Sequence, residues 1–381
     1  MRKEYKQVIH SITVKILPAF AGLFFSLYSV VVLSPEEIGR FVIMLVTYNL
    51  IRMIAEGGMG LTLVNEKFGL KFLSMAFMHS IVVVFFGAIT LYFMYSEYTS
   101  EVFILIAALL FSAFSLTKVN RFRIELKYHE LSQLILFASL ISVTLASLDL
   151  YYSGSVRSLA LRYLIFEMVI TLGNRTSKTK WFKKYSLKEA STVYKSSIVY
   201  TGQALIENIR ELIFVQGISS QLTNRGVGLY NRTAQFSDGL VKMPWSAFRP
   251  LYISVENSSN VKTYTRLFTA LIMSGFFVLM FSANLIEASA LQFLDRTWEG
   301  MSFWIRLNAF LALSFVIEQA SITRLYSSMS RLKVLLYEAI FKSSIFIVYF
   351  LGFSKLSLVI WSIAYFIYAI GLLIVLKKRL K

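Results

Sequence analysis

Apolar residues arrive in this chain in long runs, and the runs recur from one end to the other. Each is about the 17–25 residues that a helix needs to cross a bilayer. In hydrocarbon every backbone N–H and C=O must be satisfied within the protein, which leaves only helices or a closed barrel. Unbroken runs of this length, without the period-two alternation of a barrel strand, select the helix. The expected fold is an all-α polytopic membrane protein with twelve spans, at 12–33, 39–56, 70–95, 102–117, 131–148, 156–173, 197–218, 227–248, 267–286, 303–324, 334–352 and 356–376. The N-terminus, MRKEYK before an apolar run with Ala19-Phe20-Ala21 inside it, imitates a cleaved signal peptide. Lys15 interrupts that run, which then continues to Leu33, so it is expected to be an uncleaved first span.

Charge sets the orientation. Of the 39 Lys and Arg, 28 lie on connections, or the span ends beside them, that share the N-terminal side, 7 lie likewise on the opposite side, and 4 (Arg210, Arg232, Lys242 and Lys342) lie deeper within spans. Basic residues collect on cytoplasmic loops, so both termini are expected in the cytoplasm. The formal net charge of +18 would point to nucleic acid in a soluble chain. Here no segment outside the spans is long enough to form such a domain, and no nucleic-acid partner is expected. Cysteine is absent, and His10, His79 and His129 are scattered, so neither a metal site nor a cofactor is expected.

The most basic connection, 173–196, falls midway and divides the chain into an N-terminal six-helix lobe, 1–172, and a C-terminal one, 197–381. With Trp181 and Phe182 among its lysines, the linker is expected to lie along the inner leaflet. The two halves share a pattern. Leu33–Phe41 (LSPEEIGRF) and Leu222–Tyr230 (LTNRGVGLY) both read L-x4-[IV]-G-x-[FY], 189 residues apart, and each sits at the outer turn between the first and second spans of its half. Six spans return the chain to its starting side. The expected architecture is thus twelve transmembrane helices in two parallel six-helix pseudo-repeats, an arrangement that lets two bundles rock around a shared midplane site.

Residues 203–242 carry more charge than two spans should. At 100° per residue, Gln203, Glu207, Arg210 and Phe214 share one helical face, and Arg232, Gln235, Gly239 and Lys242 share another. Each central Arg, Lys or Asp costs about 2.5–3.5 kcal/mol on insertion scales, so such residues mark a wet, internally lined path. Arg210, Arg232 and Lys242, with Gln203 and Gln235, are candidate cavity residues for an anionic headgroup, because Arg offers a forked permanent donor and Lys a mobile point charge. Glu207, Glu211 and Asp238 are candidates for binding a coupling ion. The competing reading is that these carboxylates only neutralise the arginines beside them, Arg210 with Glu211 for example, and that Lys242 snorkels to the inner headgroups. Arg52 and Glu56, i and i+4 on the second span, are expected to pair within their helix; Arg52 falls one position short of the equivalent of Lys242, which makes the two gate candidates. Glu318 and Lys342 are expected to pair between helices, and His79 to be a packing residue.

At the repeat the sequence also resembles a known family. LSPEEIGRFVIMLVTYNLIRMIAEGGMGLTLVNEK is similar to the opening hairpin of bacterial polysaccharide flippases, and GVGLYNRTAQFSDGLVKMPWSAFRPLYISVENSS to their eighth helix. These flippases are oligosaccharide transporters of the multidrug/oligosaccharidyl-lipid/polysaccharide exporter superfamily. Two departures stand out: Asn65-Glu66 where many relatives carry Arg before Glu, and Thr233 where alanine is usual. The resemblance implies a bacterial inner-membrane protein, not an enzyme, that moves undecaprenyl-pyrophosphate-linked oligosaccharide repeat units from the cytoplasmic to the outer leaflet. Its implied partners are that lipid-linked substrate, membrane lipids, and the polymerase and chain-length components of the same glycan pathway. Two alternatives stay open: a drug or small-molecule exporter of the same superfamily, and a membrane polymerase or ligase. The latter class presents a substantial basic outer loop, whereas the longest outer connection here, 285–306, is short and acidic.

Overall fold

The computed structural model describes residues 20–59, 62–63, 72–125, 127–173, 186–242, 244–245, 261–294, 296–328, 339, 342, 352 and 354–379. Regular structure among them is helical throughout. Helix α1 covers Phe20–Val32, α2 Pro35–Glu56, α3 Leu73–Met94, α4 Thr99–Ile124, α5 Tyr128–Ser153 and α6 Arg157–Leu172. Helix α7, Leu187–Ser237, continues into a π-helical turn, Asp238–Lys242. Helices α8, α9 and α10 follow at Val261–Ala290, Met301–Ser328 and Lys355–Arg379.

Among the described residues, seven helices are long and apolar enough to cross a membrane: α2 to α5, and most of α8, α9 and α10. The described part of α1 is shorter, α6 has 16 residues, and α7 carries too much charge. The expected span 334–352 lies largely outside the described residues, as do Asn65-Glu66 and linker residues 174–185. Where the linker is described it departs from expectation, because α7 begins at Leu187, ten residues before the expected span. The outer turn expected at 219–226 is helical too, with one interruption: Thr223 has φ 70° and ψ 166° and divides α7 in two.

Local sequence explains these boundaries. Pro35 opens α2 at a position where its missing N–H is no loss. Ser34 and Glu37 form a capping box in front of it: Glu37 Oε2 accepts from the Ser34 N–H at 2.8 Å, and Ser34 Oγ accepts from the Glu37 N–H at 3.3 Å. Ser186 and Glu189 repeat the device at the start of α7. Gly154 closes α5 in the left-handed conformation, φ 57°, that glycine adopts without Cβ strain.

The chain forms two compact units that do not follow chain order. The first contains residues 41–215 and 338–342; the second contains 1–40, 216–337 and 343–381. In the first, α6 packs on α4 and α5, and α4 on α3. Phe122, Leu131, Leu134, Ala138 and Ile170 form one apolar cluster there, and Met59, Leu63, Phe72, Met75, Ala76 and Val193 another. In the second unit α9 packs on α8 and α10, and the π turn on α8 and α9. Polarity is distributed as in a bilayer protein. Phe86, Phe93 and Phe281 are exposed, while Ser112, Ser115, Asn120, Glu167, Asn308 and Glu318 are buried.

Candidate functional site

Helix α7 crosses from one unit to the other, so the expected site residues divide between them. In the first unit, Glu207 sits between two cations. Arg210, one turn on, reaches its Oε1 at 2.7 Å, and Lys342 Nζ lies 2.5 Å from its Oε2. The Lys342 side chain is only 3% exposed. Lys342 thus pairs between helices as expected, and Arg210 pairs with Glu207, three residues before it on α7. The Gln203 side chain lies outside the described residues.

Arg52 and Glu56 depart from expectation. They do not pair with each other: Arg52 Nε donates to Glu167 Oε1 on α6 at 2.8 Å, and Glu56 accepts from Arg123 of α4 at 2.9 Å. Burial is the cause. The Glu167 side chain is 3% exposed and that of Glu56 30%, so Glu167 would lose far more without a counter-charge. Ser115 donates to the other Glu167 oxygen, which makes a polar junction of α2, α4 and α6. Sequence reasoning missed Glu167 and Ser115. The signal was present, since Glu167 is a lone carboxylate in the apolar run 156–173, the same criterion that singled out Glu207. Buried charge is therefore found in the first half of the chain as well as the second. His79 makes a hydrogen bond with the Ile54 carbonyl at 2.9 Å and packs edge-on to Tyr194, the arrangement of a packing residue.

In the second unit Arg232 is 6% exposed, and its NH1 donates to Ser26 Oγ on α1 at 2.6 Å and to Gln235 Oε1 at 3.2 Å. Both of these acceptors are neutral side chains. Asp238 and Lys242 pair at 2.7 Å across the π turn, and Lys242 also lies 5.0 Å from the centre of the Phe315 ring. The same unit holds two further buried polar contacts. Asn308 donates to Thr233 Oγ1 at 2.7 Å and to the Tyr230 carbonyl at 3.0 Å, and Tyr365 donates to Glu318. The threonine that departs from the resembled pattern thus gains a partner that alanine would lack.

Ionic contacts also close the ends of helices. Glu125, just past α4, accepts from Arg121 at 2.7 Å and pairs with Lys127 at 3.0 Å. Burial raises its carboxyl, but the two hydrogen bonds and their charges outweigh this and hold it below the usual glutamate range. Among the described residues no group of three or more His, Asp or Glu side chains is arranged to hold a metal ion.

What the arrangement offers is buried, hydrogen-bonded cationic groups in an apolar helical body, suited to holding an anion in a medium of lowered dielectric. Residues 30–255 match the model of a family described as polysaccharide biosynthesis protein. Two crystal structures of MATE transporters share the fold. One, in the bent conformation, is 10% identical with a TM-score of 0.57, over 98% of this chain and 96% of the other. The second, in complex with MaD3S, is 13% identical with a TM-score of 0.55, over 98% and 97%. No curated protein matches the sequence.

Proposed function

The chain belongs to the polysaccharide biosynthesis protein family, and from that premise we propose that it is a flippase for undecaprenyl-pyrophosphate-linked oligosaccharides in a bacterial inner membrane. The observation that carries the reading is the set of cations drawn into a helical membrane fold, Lys342 and Arg210 around Glu207 and the buried Arg232 hydrogen-bonded to Ser26. A pyrophosphate is the most anionic part of such a substrate and needs guanidinium and ammonium donors to leave water. The glycan headgroup passes through the protein while the polyprenyl chain stays in lipid.

Twelve helices in two parallel repeats, with lobes 1–172 and 197–381 and both termini cytoplasmic, complete the proposal. The basic-residue asymmetry supports the orientation. The repeat is supported by the helix breaks, since Ser34 and Thr223 are 189 residues apart and each precedes a helical segment. Arg210, Arg232, Lys242, Gln203 and Gln235 are assigned to the substrate, Glu207, Glu211 and Asp238 to ion coupling, and Arg52 and Glu56 to gating. Polymerase and chain-length proteins of the same glycan pathway are the proposed partners. The second reading is a small-molecule exporter, favoured by the shared fold with MATE transporters.

The test is Arg210→Gln with Arg232→Gln in cells whose surface glycan depends on this chain. Surface glycan is expected to disappear and lipid-linked repeat units to accumulate inside, with normal protein in the membrane. Normal glycan output from that double variant would sink the assignment. A change in drug tolerance with glycan intact would favour the exporter.

A further inference from the structure

Gly39 and Gly228 hold the same place in the two copies of the nine-residue pattern, and the structure brings them to one crossing within the second unit. A Cβ added to Gly39 would overlap the carbonyl oxygen of Asn224 and lie 3.1 Å from the Gly228 nitrogen. One added to Gly228 would overlap the carbonyl oxygen of Pro35 and lie 2.9 Å from the Pro35 Cα. Pro35 and Asn224 are themselves 189 residues apart, each the first residue after its helix break. The contact is therefore reciprocal: 39 meets 224 and 228 meets 35, the rule of an isologous interface, here inside one chain. Ile38 and Val227, the next equivalent pair, are both fully buried.

Only glycine permits this approach. Two segments with a glycine four residues after the partner carbonyl come together as backbone on backbone, through Cα–H···O=C contacts that are individually weak. Several polar groups beside the crossing bond away from the opposite segment. Ser34 and Glu37 bond each other, Ser219 Oγ donates to Asn224 Oδ1 at 2.7 Å, and Arg225 donates to the Thr297 and Glu299 carbonyls at 2.7 and 3.0 Å. Separating the two segments leaves these bonds in place, so the crossing is close enough to exclude a headgroup and yet inexpensive to open.

We propose that the Gly39–Gly228 crossing is the outer closure of the transport path, made and broken in each cycle. This rests on the flippase reading and its orientation, which place both turns at the outer face. The reciprocity of the contact means that both halves part about one point, and that a Cβ on either glycine biases the closure towards open.

The chain contains no cysteine, so single reporters have no background. Ile38→Cys and Val227→Cys are made separately in the full chain, and intact cells are treated with a membrane-impermeant maleimide. Labelling is expected to be slow when synthesis of the lipid-linked substrate is switched off and severalfold faster when it is on. Adding Gly228→Ala to Ile38→Cys, or Gly39→Ala to Val227→Cys, is expected to give the faster rate without substrate. Equal labelling under all these conditions, while glycan export continues, overturns the closure and leaves the flippase reading standing. Labelling only after the membrane is permeabilised overturns the orientation, and the closure with it. If the alanine variants fail to accumulate, the substrate-on and substrate-off comparison in the glycine background decides alone.

Discussion

Replacing Glu207 with Gln keeps its shape and removes the negative charge between Arg210 and Lys342. The two cations are not equally affected. Lys342 is 3% exposed with its Nζ 2.5 Å from Glu207, whereas Arg210 is 14% exposed and spreads its charge over a fork of donors. Stranding a buried charge costs about 3–5 kcal/mol when its partner is removed. Lys342→Met instead removes the buried ammonium and leaves Glu207 paired with Arg210 at 2.7 Å, so its cost is that of one charged interaction, about 1.5–3 kcal/mol. The double variant, Glu207→Gln with Lys342→Met, removes both charges of this pair and should be more stable than Glu207→Gln alone. The assay is thermal unfolding of detergent-extracted protein, followed by loss of the monodisperse peak in size-exclusion chromatography. The expected order of Tm is wild type, then Lys342→Met, then the double variant, with Glu207→Gln lowest. A double variant whose Tm loss equals the sum of the two single losses would show that the pair is uncoupled and refute the reasoning.

Three further outcomes are expected. Thr223→Gly should raise Tm, because φ 70° with ψ 166° is a region essentially reserved for glycine, and relieving it returns about 1–3 kcal/mol; a lower Tm would mean that the threonine side chain matters more than its backbone. Asn308→Ala and Thr233→Ala should each cost about 1 kcal/mol or more, and the double variant less than their sum, since the two side chains share a bond of 2.7 Å; thermal unfolding of the three variants measures it. Glu125 has a depressed carboxyl, so the stability it adds is present above the ordinary glutamate range and is lost as pH falls through its lowered folded value. Glu125→Gln should therefore lower Tm at neutral pH, and its difference from wild type should vanish in acid; a difference that persists there would contradict the assignment.

Most of the helical framework was legible because apolar runs and the bilayer's demand for satisfied backbone groups act locally. Eleven of the expected spans overlap described helices α1–α6 and α8–α10 or a portion of α7 in a one-dimensional way that periodicity can report. The errors cluster where local rules compete. At 187–196 a capping box outweighs a basic composition, so α7 starts early. At 219–226 an outer turn was expected between two spans, yet only Thr223 leaves the helix, because a single residue suffices to redirect it. The candidate residues Arg210, Glu207, Arg232, Asp238 and Lys242 were visible as charges out of place in apolar surroundings. Their partners were not.

The amino-acid sequence by itself determined that this chain is a helical membrane protein with charge concentrated in residues 203–242, and it marked Gly39 and Gly228 as equivalent positions. Those properties follow from composition and from spacings of a few residues or one fixed offset. Only the tertiary structure decided that Arg52 serves Glu167 and not Glu56, that Lys342 reaches Glu207, and that the two glycines meet on each other's neighbouring carbonyls. Pairing is chosen by which carboxylate is most desolvated and which helix lies within one side chain's reach. Both are set by packing between segments more than a hundred residues apart, where helical periodicity carries no information.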